Sequence, residues 1–129
     1  LKRHVKDQLA IHPRLVLMGD FNITRDDDDV HDPVELAGTI HCTEVERAAF
    51  ADLLDLGLYD AFRMFHSEPR QFSWWDYRAG AYRRNRGLRI DHVLVSEALK
   101  PDCVGCTIDK RPREFERPSD HTPVVLSLS

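Results

Sequence analysis

One stretch, LRIDHVLVS from Leu88 to Ser96, limits the folds open to this chain more than any other. Its branched apolar residues read as a β-strand, yet Asp91 places a carboxylate among them. A charge in such a position is costly unless a partner satisfies it. The fold must therefore contain a sheet and must bring a partner to Asp91. A neighbouring arginine such as Arg89 would make it an ordinary ion pair.

The rest of the chain supplies elements to build that sheet. Leu1 to Leu9 has a helical pattern closed by Pro13, and Leu15, Val16, Leu17 and Met18 form a short apolar run that reads as a buried strand. A polar loop, GDFNITRDDDDVHDP, follows from Gly19 to Pro33. Thr43 with Glu46 makes a capping box for a helix whose Val45, Ala49, Leu53 and Leu56 share one face, and Gly57 is its natural stop. Then come LYDAFRMF, a strand beginning in QFSWW, the loop RAGAYRRNRG, the strand at Leu88, a turn through SEALKPD, and two strands, CVGCTID and PVVLSLS. One strand and helix pair followed by a run of strands predicts an α/β layered fold with a mixed, mainly antiparallel sheet.

At 129 residues, with 42% hydrophobic and 31% charged side chains, the chain suits one domain with a real core. No apolar run approaches the roughly 20 residues that cross a bilayer, and the opening LKRHVKDQLA lacks the apolar centre of a signal peptide. Three cysteines, Cys42, Cys103 and Cys106, cannot pair completely. A reducing, cytoplasmic setting is therefore expected, with no membrane partner. The charge is uneven: residues 20–60 hold twelve acids against two bases, whereas Arg78, Arg83, Arg84, Arg86 and Arg89 crowd one segment. Such a stripe can track phosphates on a molecule that is acidic overall, or it can be a solvated hairpin surface.

Three polar constellations stand where strands meet loops. Asp20 and Asn22 follow the first strand; in extended backbone their two-residue spacing sends a carboxylate and a carboxamide to the same side, toward one water or metal ion. Asp91 is the second. Ser119, Asp120 and His121 precede the last strand and add an acid and an imidazole. Taken singly, each has an ordinary reading: an Asx-capped turn, an ion pair, a turn acid beside a satisfied histidine.

In order and context, GDFN, FSWWDYR, NRGLRIDHVLVS and SDHTPV resemble the exonuclease III branch of the endonuclease/exonuclease/phosphatase superfamily, abasic-site endonucleases and 3′-end trimming enzymes. The resemblance implies a DNase I-like fold, a four-layer α/β sandwich of two similar halves, with residues 1–129 as the C-terminal half and the N-terminal half absent. Leu1 in place of an initiator methionine, inside a helical pattern, fits that expectation.

The resemblance also implies roles. Asp20 would take the proton from an attacking water, Asn22 would orient it, His121 would donate to a non-bridging phosphate oxygen, and Asp91 would hold the other imidazole nitrogen. Asp120, with Asp20 and Asn22, would ligate Mg²⁺, or Mn²⁺ in its place. Trp74 and Leu88 would wall the pocket for a flipped abasic sugar, and Arg86 would bind backbone phosphate. Double-stranded DNA with abasic sites or 3′ ends is the implied partner.

The chain departs from the family pattern in one respect. The first half normally supplies a metal-ligating glutamate, an asparagine and a tyrosine, and nothing here matches their motifs. Asp26 to Asp29 could offer carboxylates but read as a solvated loop or helix cap. Two expectations follow: little nuclease activity from this chain alone, and an exposed sheet face covered by the missing half or by self-association. Two other functions remain open from the residues: a phosphoesterase for small-molecule or lipid phosphoesters, and a zinc-stabilised module using Cys103, Cys106, His41 and Cys42.

Overall fold

A computed structural model describes residues 1–129. In chain order the elements are α1 (Lys2–Ile11), β1 (Val16–Asp20), α2 (Pro33–Leu36), α3 (Glu44–Leu54), β2 (Leu58–Asp60), α4 (Ala61–Phe65), β3 (Trp74–Trp75), β4 (Gly87–Leu88), β5 (Asp91–Ser96), β6 (Cys103–Ile108) and β7 (Val124–Leu128). The capping box forms as expected: the Thr43 side chain accepts from the Glu46 backbone while the Glu46 carboxylate accepts from that of Thr43. Just beyond α3, Gly57 takes φ 100°, a conformation that a side chain would strain.

Strand β5 is central. It pairs antiparallel with β1 on one side and β2 on the other, giving the order β1-β5-β2, while β3-β4 and β6-β7 form two antiparallel ribbons. Alternation along β5 splits the core. Leu94 packs with Val5, Phe50, Leu53 and Leu58 beneath α1 and α3, and Val93 and Val95 pack with Ala61, Phe62, Leu99 and Cys106 against α4 and β6. Each fully buried large apolar side chain contributes roughly 1.5–3 kcal/mol, so these two layers hold the central sheet in place.

The expected single strand from Leu88 to Ser96 is interrupted at Arg89 and Ile90. The cause is Arg89, which is 1% exposed and turns into a buried charge cluster. Its Nε donates to Asp29 at 2.7 Å, and its two terminal nitrogens donate to Asp60 at 3.0 and 2.6 Å. Arg63 adds a second bond to Asp29 at 2.8 Å, and Arg25 reaches Asp60 at 3.2 Å. Burial alone would raise the Asp60 carboxyl, but the Arg89 guanidinium bonded to it holds it at about 2.

This arrangement corrects two expectations. Asp26, Asp27 and Asp28 are exposed as a capped loop should be, with Asp26 accepting from the Asp28 backbone at 3.0 Å, but Asp29 is fully buried. Arg89 neither belongs to the basic surface stripe nor pairs with Asp91; it is the keystone of the Asp29–Asp60 cluster. The alternative of a zinc-stabilised module finds no support either. Cys42 lies in a cluster with Val30, Leu88 and Ile90, whereas Cys103 and Cys106 lie with Phe62 and Val93, so no zinc site assembles from them.

Candidate active site

The site collects at one end of the central sheet. Asp20 ends β1 and Asp91 begins β5, and the ladder sets these two residues directly opposite each other. Two like charges so placed repel. The side chain between them is His121, whose Nδ1 lies 2.8 Å from Asp91 Oδ2 and whose Nε2 lies 3.6 Å from Asp20 Oδ2. Burial pushes the Asp91 carboxyl up, against opposing hydrogen bonds from His121 and Ser73. Burial acts most strongly to lower His121, but its bond to Asp91 together with the charges of Asp91, Asp20 and Asp120 outweighs that and leaves its pKa raised, favouring the imidazolium.

Asn22 does not take the extended conformation that its spacing suggests. The strand stops at Asp20, and Asn22 adopts φ 55°, which asparagine tolerates better than most residues. Its backbone N–H donates to Asp20 Oδ1 at 2.9 Å, closing an Asx turn, and its carbonyl accepts from His41 Nδ1 at 2.6 Å. One Asp20 oxygen is thereby fixed by the turn, and the other faces His121. The Asn22 side chain is exposed beside them.

His121 arrives from the far end of the chain, so its position depends on tethering. The Trp75 N–H donates to the Asp120 carbonyl at 3.1 Å, the Thr122 N–H donates to the Ser73 carbonyl at 2.8 Å, and Trp74 bridges to His121. The Asp120 carboxylate is engaged elsewhere: its Oδ2 accepts from the Trp74 indole at 3.0 Å. Trp74 and Leu88 are cross-strand partners in β3-β4. They line a cavity of about 720 Å³ together with Arg78, Arg84, Arg86, His31 and His41. Arg86 lies 3.4 Å from Glu35, exposed enough to trade that partner for another anion.

Asp20, Asp91 and His121 present ligand atoms all within 4.8 Å of one another. His121 Nδ1 is committed to Asp91 while its Nε2 is open, and the carboxylates of Asp20 and Asp91 are the oxygen donors that Mg²⁺ prefers. Asp120, expected among the ligands, lies outside this group, its Oδ2 bonded to the Trp74 indole. Two contributors were hidden in the sequence. Ser73 and His92 are both buried, the first bonded to the Asp91 backbone and the second to the Ile23 carbonyl that follows Asn22. A hydroxyl amid the aromatics of QFSWW is the only sequence sign of the first.

The sequence profile described as "Endonuclease/Exonuclease/phosphatase family" matches residues 1–121. Exodeoxyribonuclease III of Haemophilus influenzae is 40% identical over 117 residues, covering 85% of this chain and 44% of that protein. Among solved structures, a 3′ phosphatase from Neisseria bound to a product DNA hairpin superimposes with a TM-score of 0.97 at 44% identity, covering 99% of this chain and 50% of that one. An AP endonuclease from Archaeoglobus fulgidus gives 0.87 at 34% identity, covering 98% and 51%. The chain spans about half the length of the curated relatives it matches. By fold, by profile and by the strand-end placement of Asp20, Asp91 and His121, the chain belongs to the endonuclease/exonuclease/phosphatase family, with its likeness on the exonuclease III side of it.

Proposed function

We propose that these residues form the C-terminal portion of a DNA repair phosphodiesterase, an abasic-site endonuclease and 3′–5′ exodeoxyribonuclease that uses water to attack phosphorus. The observation that carries this reading is the convergence of Asp20, Asp91 and His121, drawn from three distant segments, on one imidazole. Asp20 removes the proton from the attacking water and Asn22, beside it, holds that water's orientation. His121, tied through Nδ1 to Asp91, keeps Nε2 free to donate to a non-bridging phosphate oxygen. A bound Mg²⁺ or Mn²⁺, held by Asp20 and Asp120 with Asn22 near, would neutralise charge on the phosphate.

DNA is favoured over small or lipid phosphoesters by the cavity that Trp74, Leu88 and Arg86 share. A half-buried indole and an apolar wall suit a base-free sugar, and the arginines along the rim suit backbone phosphates. The Neisseria neighbour's product hairpin supports the same choice. Exposed Met18 on the edge strand β1, with Val104 and Val125 on the β6-β7 ribbon, marks where an N-terminal half, or a second copy, would pack.

The test is Mg²⁺-dependent nicking of a duplex holding one abasic analogue, by the chain alone and with a complementary first half from a family member. Little activity alone, activity on mixing, and its loss in Asp20→Ala and His121→Ala are expected. A reconstituted rate unchanged by either substitution overturns the mechanism. Faster turnover of inositol phosphates or lipid phosphoesters than of DNA overturns the substrate.

A further inference from the structure

We infer that Ser73 is a positioning residue, whose hydroxyl sets the Asp91–His121 couple from behind; this rests on the phosphodiesterase reading for its meaning. Ser73 is fully buried and lies in neither motif that supplies the couple. Its Oγ accepts two backbone N–H groups, from Ile90 and from Asp91, each at 3.1 Å. These are the residue before β5 and its first residue, the place where the chain leaves the buried Arg89 and enters the central sheet. Neither amide donates to a neighbouring strand; both go to this one hydroxyl.

The backbone of the same residue does the complementary work. The Ser73 N–H donates to the Leu88 carbonyl at 3.0 Å, and its carbonyl accepts from the Thr122 N–H at 2.8 Å. One serine therefore binds the strand that brings Asp91 and, through Thr122, the strand that brings His121. Their 2.8 Å contact depends on the two segments keeping register with each other, and Ser73 is bonded to both.

A serine that merely satisfied two amides would be a structural residue. Loss of its hydroxyl would then lower stability, because two amides are left unsatisfied, and leave the couple as it was. A positioning residue alters the couple itself, and a shift of even 1 Å at such a site can cost roughly 10²-fold in rate.

The experiment uses the full 129-residue chain. Ser73→Ala, Ser73→Cys and Ser73→Thr are compared by thermal melting and by the NMR resonance of the His121 Nδ1 proton in its bond to Asp91. Ser73→Cys provides a folded comparison of similar size with only weak hydrogen bonding should the alanine variant fail to melt cooperatively. Loss or a clear upfield move of that resonance in Ala or Cys, with restoration in Thr, is expected. In the reconstituted nicking assay the same variants should lose about tenfold or more in kcat while KM stays within about twofold. A folded Ala or Cys variant with the wild-type resonance overturns the inference. If instead the resonance responds but Asp20→Ala leaves nicking intact, the positioning stands and the phosphodiesterase reading falls.

Discussion

Asp20 and Asp91 face each other across the β1-β5 ladder, and the imidazole of His121 occupies the gap between their carboxylates. The arrangement makes each acid dependent on the histidine: it supplies the positive charge that allows two anions to stand opposite one another. Removing Asp91 by Asp91→Asn takes away the group that orients the ring and favours its charged form. The expected result is a fall of about 10²-fold or more in the reconstituted nicking rate, with the melting temperature nearly unchanged. A variant that retains the parent rate would contradict the role given to the pair.

The buried cluster around Arg89 predicts a sharp contrast in stability. Arg89→Met leaves Asp29 and Asp60 without their shared cation, and breaking a buried pair by one partner costs roughly 3–5 kcal/mol. Arg78→Met removes only the exposed contact to Asp76, which solvent screens to little net stability. Urea titrations of the two variants should differ accordingly. Similar losses would mean that the cluster is not what holds the loop carrying Asp29 to the sheet.

Stability should also fall in mild acid because of His92. Burial, reinforced by the nearby Arg89 charge, holds its pKa down to about 4, and its Nδ1 has no hydrogen-bond partner. The unfolded chain binds that proton near pH 6.5 while the folded one refuses it until about 4. The contribution is thus complete above about pH 6.5 and declines as pH drops toward 4, by on the order of 3 kcal/mol. Urea midpoints across this range should slope in the parent and flatten in His92→Phe. An equal slope in both would assign the acid sensitivity elsewhere.

Gly87 gives a fourth test. A Cβ there would lie 2.6 Å from the Trp74 carbonyl oxygen and 2.6 Å from the Trp75 ring, so Gly87→Ala must force β3 and β4 apart. The cost should be about 1–3 kcal/mol, accompanied by a change in tryptophan fluorescence as Trp74 shifts against Leu88. An unaltered spectrum and melting curve would show that the ribbon yields freely.

Much of this was readable from the residues because its signals are local. Thr43 and Glu46 lie within one turn, Gly57 follows the helix it ends, and Asp20, Asp91 and His121 stand out as polar groups at strand ends. The Asp29–Arg89–Asp60 cluster was not readable, since its members lie far apart and Asp29 is disguised by three exposed neighbours of the same kind. The break at Arg89 follows from that cluster and was hidden with it. Asn22 was expected in extended backbone on the same side as Asp20, whereas the strand ends at Asp20 and Asn22 turns left-handed, a local choice that the two-residue spacing does not reveal. Ser73 was missed because a hydroxyl says nothing about the amides that seek it until the strands are in place.

The tethering of Asp120 and Thr122 to the Trp74 segment makes the imidazole and the cavity one mechanical unit. The segment that carries His121 is bonded on either side of it to Trp75 and Ser73, and Trp74 between them lines the cavity. Whatever displaces the β3-β4 ribbon therefore carries His121 with it, so the pocket wall and the imidazole shift together.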